Sequence, residues 1–525
     1  MSAGRSRIIT EALGGSPLSQ AVQARRLPGD IQPPRPASPD EWRTHATRVR
    51  GAFANDWYAR LAPALAPSGA ARARLERVAD GAGVVVTTGQ QAALFGGPVY
   101  TIAKALSALE LADQVERELG IPTAPVFWAA TDDADFLEAS VTYVADARGL
   151  HELQLTQPPP AGAPMSLAPL GDVSSLLDEL RAACGSAAYG EFYDLVADAF
   201  RSSSTLGDAY VRMMRALLEP LGVAVLDSSH AAYRDAARPL LLDALRNAPA
   251  IAGADAEREE AIRRAGFEPQ VRDERGLSLV ATIDRGVKTR VPVDHAERIA
   301  ESKAAHALAP NVLLRPVVER EILPTIAYVA GPAELAYFVQ SAAVAAVLER
   351  PAPVGVPRWA VTVIEPFADR ALSRLGVPYH ELRDTATLER RLAVDAMPPD
   401  VSRAWDALKR EVDAAVAHVA GAVDRTDLMP PAVIEGLRRS LEHRLRRTER
   451  RLLAAVKRKE ERIRVDLRVA ASALFPRGGR QERTLNFTPM LARGGEELIG
   501  DMRSAAREHA STLLQAERSE RVTAR

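Results

Sequence analysis

Residues 84–104 read VVVTTGQQAALFGGPVYTIAK. The β-branched apolar run at 84–86 predicts a strand buried on both faces. Thr87, Thr88, Gly89, Gln90 and Gln91 then make a polar loop. Phe95, Gly96, Gly97 and Pro98 turn the chain into a helix carrying Tyr100, Lys104, Leu106 and Leu109. In an open α/β sheet, the carboxyl end of a strand that leads into a helix is where ligands sit. Neither a Walker nor a GxGxxG spacing occurs here, so spacing alone identifies no nucleotide loop.

Working outward, a second apolar run, Pro125 to Ala130, ends directly in Thr131, Asp132, Asp133, Ala134 and Asp135. Strand, helix and strand of these lengths form a βαβ unit, whose right-handed crossover makes the strands parallel. Upstream, residues 1–40 are Pro-rich. A helix is expected from Ser38 to about Leu61 and another from Ser68 to Ala79. Downstream, 221–227 is a strand ending in Asp227, and a helix opens at Pro239. Residues 267–290 predict a β-hairpin turning at Asp284, Arg285 and Gly286. Residues 311–316 and 323–329 look like strands, Gly331 and Pro332 like a turn, and 333–348 like a buried helix. Short strands at 354–358 and 361–365 close the α/β part. Past Tyr379 the pattern becomes long helices. Trp405, Leu408, Val412 and Val419 form one apolar seam, and Ile434, Leu437, Leu441 and Leu445 another. They flank a turn at Leu428, Met429, Pro430 and Pro431, which predicts an antiparallel helical hairpin or coiled coil. The basic stretch at 438–464 reads as a solvated face, because no aromatic side chains interleave its charges.

The chain has 525 residues, 47% of them apolar and 26% charged, with a formal net charge of -1. This is a globular composition with room for more than one domain and no overall affinity for nucleic acid or an anionic membrane. Its single cysteine, Cys184, excludes an intrachain disulfide and a Cys-rich metal site. With no apolar targeting segment in MSAGRSRIITEALGG, a cytoplasmic location is expected. The nine histidines are scattered without ligand spacing, so no metal site is expected.

Chemistry concentrates in a few places. Asp132, Asp133, Asp135 and Glu138 cluster past a strand end. Such carboxylates hold an ammonium or a divalent cation, raise one another's pKa, or cap the following helix. Asp132, Asp133 and Asp135 are the catalytic candidates. Tyr100 and Lys104 offer a hydroxyl and an ammonium to an anionic substrate. Gln90 and Gln91 offer uncharged amides. Tyr328, Glu334 and Tyr337 flank the Gly331-Pro332 turn, where Glu334 either meets a ligand or caps the helix. Thr88, Phe95, Gly97 and Trp128, in the same two segments as the acids and amides, complete the substrate-binding set.

Four stretches together resemble one family: TTGQQAALFGGPVYTIAKALSALELA, APVFWAATDDADFLEAS, NVLLRPVVEREILPTIAYVAGPAELAYFVQ and LFPRGGRQERTLNF. They are similar to the bacillithiol biosynthesis cysteine-adding enzymes, a group of cysteine ligases. The resemblance runs from about residue 84 to the C-terminus. It implies a Rossmann-like parallel-sheet core over 1–378 with inserted connecting segments (about 150–220 and 250–310). It also implies an antiparallel α-helical coiled coil over 379–525 that makes a homodimer. The implied reaction joins cysteine to a glucosamine–malate conjugate through an amide. Its cofactor stays open, with a nucleotide (ATP or ADP) as the candidate. The cysteine ammonium then calls for an acid, which the Asp132, Asp133 and Asp135 group supplies. The malyl carboxylates call for donors, which Gln90, Gln91, Lys104 and the amides near Gly96 and Gly97 supply. In one respect the chain departs from the family: where the acidic segment usually carries a histidine, this sequence has Ala134. That departure puts the activity in question. It leaves two alternatives open: a ligase for another thiol or amino-acid conjugate, or a catalytically silent small-molecule binder whose coiled coil recruits a partner.

Overall fold

A computed structural model describes residues 5–54, 56–81, 83–272, 274, 276–302, 307–426, 429–459 and 461–514. His306 and Leu428 lie outside the described residues. The chain divides into two compact units. One comprises 5–144, 151–363 and 481–514; the other comprises 145–150 and 364–480.

A two-stranded sheet pairs Arg7–Glu11 with Ala360–Ile364, and in chain order the first unit further includes β1 (Val84–Gln91), β2 (Thr123–Ala130), β3 (Ala224–Asp227), β4 (Leu277–Asp284), β5 (Val287–Pro292), β6 (Ala307–Pro310), β7 (Thr325–Ala330) and β8 (Gly355–Pro357). Five of them form a sheet in the order β8-β7-β1-β2-β3, parallel throughout. The expected βαβ unit is present, with β1 and β2 paired from Val84 opposite Thr123 to Gln91 opposite Ala130. Alternation along the strands supplies a core on each face. Val85, Val126, Trp128 and Tyr328 pack to one side, and Val84, Val86, Ile326 and Val329 to the other. This is why the strands read as continuous apolar runs.

Helix α1 (Val99–Leu119) connects β1 to β2 and ends at Gly120, whose φ of 69° suits a left-handed cap. Behind α1 lies the last helix, Thr488–Leu514. There the fully buried Glu110 carboxylate accepts bonds from Arg503 Nε (2.7 Å) and Arg507 Nε (2.8 Å). The hairpin β4–β5 is antiparallel as expected. Its turn residues Arg285 and Gly286 have φ of 47° and 82°, the left-handed pair of a two-residue turn.

Four local expectations change. Thr87 to Gln91, expected as a polar loop, continue β1, because each pairs in register with Val126 to Ala130 of β2. The helix from Ser38 is two helices, Pro39–Gly51 and Trp57–Leu65. The helix expected to open at Pro239 begins at Ala231 and runs through that proline. Residues 311–316 are not a strand. Asn311 Oδ1 accepts the Leu313 and Leu314 N–H groups at 3.1 and 3.0 Å, which turns the chain into α2 (Arg315–Ile322). The strand is the preceding β6, which pairs with β4. The apolar stretch after Ala327 is the end of β7 followed by α3 (Pro332–Val347). Among the described residues no helix is long and apolar enough to cross a membrane.

The second unit is helical, and its longest helices are Pro399–Thr426 and Pro431–Lys459. Glu449 of the second arm accepts bonds from Trp405 Nε1 (3.1 Å) and Lys409 Nζ (3.2 Å) of the first. Asp466 pairs with Arg374 within the same unit.

Candidate active site

The carboxyl ends of β1, β2 and β7 and the start of α3 surround a cavity of about 250 Å³. β1 brings Gly89, Gln90 and Gln91 to its wall, α1 brings Tyr100 and Lys104, and β2 brings Trp128 and Ala130. Asp133, Arg315, Glu334, Tyr337, Arg358 and Arg483 complete the polar lining. Gly89 is required sterically. A Cβ there would stand 2.9 Å from both Cβ and O of Trp128 on the neighbouring strand. Gly89→Ala is therefore expected to cost about 1–3 kcal/mol through overpacking, read as a lower urea midpoint.

A charged cluster forms the floor. Lys104 Nζ, buried, donates to Gly89 O (2.6 Å) and Gln90 Oε1 (3.4 Å) and pairs with Glu334 Oε2 at 2.6 Å. Glu334 also accepts the Gly331 N–H (2.6 Å) and the Tyr328 hydroxyl (2.8 Å). It therefore caps α3 and lines the cavity at once. Arg315 donates to the hydroxyls of Tyr328 (3.2 Å) and Tyr337 (2.7 Å). Its guanidinium lies 5.3 Å from the Tyr328 ring centroid and 3.6 Å from Glu334 Oε1.

Burial penalises every charge here. It pulls the Lys104 ammonium below its usual range, and Glu334 only partly restores it. Burial also pushes against the Glu334 carboxylate, yet Lys104, Arg315 and the Gly331 amide together hold that group below the usual carboxylate range. Tyr100 is pushed well up by burial and stays neutral, accepting a bond from Gln90 Nε2 at 2.9 Å.

The acid cluster disperses. Asp133 lines the cavity. Burial, followed by the adjacent Asp132 charge, raises its carboxyl above the usual range, with Lys288 opposing. Asp132 is turned away. It accepts from Ser228 Oγ and from Lys288 Nζ (3.3 Å), the lysine also donating to Asp132 O at 3.0 Å. Asp135 is exposed and caps the short helix Phe136–Ala139, accepting the Glu138 N–H at 3.1 Å. Ala134 donates its N–H to Asp133 Oδ1 at 2.7 Å.

Other expected residues stand behind the wall. Thr88 donates to Val329 O at 2.8 Å within the sheet. Phe95 is buried edge-on against Phe200, with centroids 4.7 Å apart. Gly97 has a φ of 79°, and a Cβ there would meet Ala93 Cβ at 3.0 Å. Tyr328 acts through Arg315 and Glu334. The loop amides expected as donors turn inward: Gly96 N bonds Ala93 O (3.1 Å), Gly97 N bonds Leu94 O (3.2 Å) and Val99 N bonds Leu485 O (2.8 Å). Trp128 lies edge-on to Tyr233 at 5.1 Å. Its buried indole N–H has no hydrogen-bond partner among the described residues.

Arg315, Arg358 and Arg483 were not singled out from the sequence. Arg315 and Arg483 do fall inside two of the four family-like stretches, and that was the only signal for them. Among the described residues no three or more His, Cys, Asp and Glu side chains converge as a metal site.

Comparison with known proteins agrees with this architecture. Residues 58–359 match the family description "Bacillithiol biosynthesis BshC, N-terminal Rossmann-like domain". Residues 361–513 match "Bacillithiol biosynthesis BshC, C-terminal coiled-coil domain". A protein of Solibacter usitatus named "Putative cysteine ligase BshC" is 30% identical over 439 residues, covering 81% of this chain and 82% of its own. Proteins of the same name from Koribacter versatilis and Salinibacter ruber are each 28% identical, covering 84% of this chain and 85% and 84% of theirs. The chain therefore belongs to the bacillithiol biosynthesis BshC family.

Proposed function

We propose that the cavity joins cysteine to a glucosamine–malate conjugate through an amide bond, as a carbon–nitrogen ligase of bacillithiol biosynthesis. The observation that carries this reading is the charge of the wall. Lys104, Arg315, Arg358 and Arg483 stand against Asp133 and Glu334. Such a wall favours a ligand with more than one carboxylate, as a malyl group has. Lys104 is already neutralised by Glu334 and Arg358 by Glu482, so Arg315 and the exposed Arg483 carry the charge left to meet those carboxylates, with Arg358 Nε, the nitrogen not bonded to Glu482, beside them.

In the reaction the sugar amine attacks the cysteine carboxyl carbon. The C–N bond forms, a carboxyl C–O bond breaks, the amine gives up its proton, and in the net condensation that oxygen leaves as water. Asp133 is the acid on the wall placed to take that proton, and its raised pKa suits a general base. The loop amides at Gly96 and Gly97 are bonded internally and form no phosphate cradle, so no step is routed through a nucleotide here.

Leu408, Val419, Val433 and Leu437 are exposed on the long helices of the second unit. A second copy covering them is the homodimer in this reading, and the single cysteine fits a cytoplasmic site of action. Thiol profiling of a strain lacking the gene tests the function. Loss of bacillithiol with build-up of the glucosamine–malate conjugate is expected. An unchanged thiol pool without build-up would refute it.

A further inference from the structure

One family-like stretch, residues 474–487, has a single residue, Arg483, in the reaction described above. Its end, from Gln481, continues into Thr488 and belongs to the first unit, where residues 481–488 bond to two sides of the cavity wall. On one side, Glu482 and Arg358 are each 2% exposed and form a bidentate pair: NH1 to Oε2 and NH2 to Oε1, both 2.7 Å. Glu482 Oε2 also accepts the Val361 N–H at 3.0 Å. Gln481 ties the same strand by accepting the Val363 N–H (2.7 Å) and donating to Val363 O (2.8 Å). The Arg358 guanidinium stays on the cavity side, 5.7 Å from the Tyr100 ring centroid.

On the other side, the segment clamps the turn that starts α1. Phe95 holds a φ of 50°, a region that bulky residues occupy only when their surroundings enforce it. Its carbonyl accepts Asn486 Nδ2 (2.9 Å) and Thr488 Oγ1 (3.3 Å). Asn486 is itself fixed, accepting the Thr488 N–H at 2.8 Å and donating to Thr142 Oγ1 at 3.2 Å. Phe487 closes over Gly96, where a Cβ would lie 2.6 Å from the ring. Val99, the first residue of α1, donates its N–H to Leu485 O. One short segment thus anchors both Arg358 and the helix that delivers Tyr100 and Lys104.

We propose that residues 481–488 are a positioning strap for the cavity, in which Glu482, holding both terminal nitrogens of Arg358, sets carboxylate affinity by fixing the Arg358 Nε edge beside the cavity-lining Gly331, and Asn486 sets the start of α1 by holding the Phe95 turn. Glu482 is a positioning residue, since it acts through Arg358. The inference rests on the reading of the cavity as a carboxylate site. A carboxylate-locked guanidinium keeps its plane, and so its Nε–H, in one orientation, which a free side chain would lose to rotamer freedom.

The test uses the full-length protein and L-malate as the probe, with affinity measured by isothermal titration and folding checked by circular dichroism. Glu482→Gln is expected to weaken malate binding roughly tenfold and to raise KM for the conjugate similarly, with kcat within about threefold. Arg358→Lys is expected to do the same, and the double variant no more than Arg358→Lys alone, because the two residues act as one unit. A purely structural role would lower the melting temperature without this split. If Glu482→Gln fails to fold, Glu482→Asp, which keeps the charge but shortens its reach, carries the test. Malate affinity within twofold of wild type in the folded Glu482 variant, or in Arg358→Lys, overturns the strap. Failure of the wild-type protein to bind malate removes the carboxylate reading and the strap with it. Normal wild-type binding with unaffected variants overturns the strap alone.

Discussion

Asp133→Asn lowers turnover by about 10²- to 10⁴-fold, the range that a positioned general base contributes, while leaving the fold no less stable at neutral pH. The two effects separate because of where Asp133 sits. Its carboxyl is raised by burial and by Asp132, so the folded protein favours the protonated form more than the unfolded chain does. Stability therefore falls as pH rises from the ordinary carboxylate range through the raised folded pKa, and stays lower above it. An uncharged amide removes that penalty. Urea midpoints of the variant are expected to equal or exceed wild type at pH 7, with the difference vanishing below the ordinary carboxylate range. In the wild-type protein, the same shift places the acid limb of kcat/KM above the ordinary carboxylate range. A variant that is both inactive and less stable at neutral pH would mean that Asp133 holds the fold rather than the proton.

Lys104→Met acts on stability first. Glu334 would keep the Gly331 N–H, the Tyr328 hydroxyl and Arg315 at 3.6 Å, but lose its partner at 2.6 Å. Breaking a buried pair from one side costs about 3–5 kcal/mol, because a charge is left uncompensated. Glu334 is the depressed member of the pair. The stability it contributes is present above the ordinary carboxylate range and is lost as pH falls through its lower folded pKa. The variant is thus expected to lose most stability at neutral pH and little in acid. Adding Glu334→Gln should recover part of the loss, the coupling being read as a double-mutant cycle on urea midpoints. Equal losses at neutral and acid pH would contradict the ion-pair account.

What could be read in advance follows the range of the interaction concerned. The start of β1, the turn at Gly96 and Gly97, and α1 depend on local apolar runs and glycine chemistry and were legible, whereas the polar half of β1, Thr87 to Gln91, read as a loop because its strand pairing with β2 is not local. The neighbouring β2 was legible in its own apolar run from Pro125 to Ala130, and its parallel pairing followed from the handedness of crossover connections. Residues 311–316 misled because the apolar NVLL looked like a strand, while one side chain, Asn311, bonds two amides and starts a helix. Asp135 resembled a ligand by its company, but the local rule of helix capping claims it. Lys104 was visible as a candidate. Its burial against Glu334 was not, because the pair joins distant parts of the chain. Arg358 was missed for the same reason: its partner Glu482 lies 124 positions away. Ala134 bonds Asp133 through its backbone N–H, a bond available to any residue other than proline whatever its side chain.

The measurement that bears most directly on the cavity is complementation of a strain lacking the gene. Bacillithiol and its glucosamine–malate precursor would be quantified by mass spectrometry after expression of the wild-type chain or of Asp133→Asn. Restoration of the bacillithiol pool by the wild-type chain is predicted. With Asp133→Asn at equal protein level, the precursor is predicted to persist. Full restoration by Asp133→Asn would contradict the assignment of this cavity as the site of amide formation.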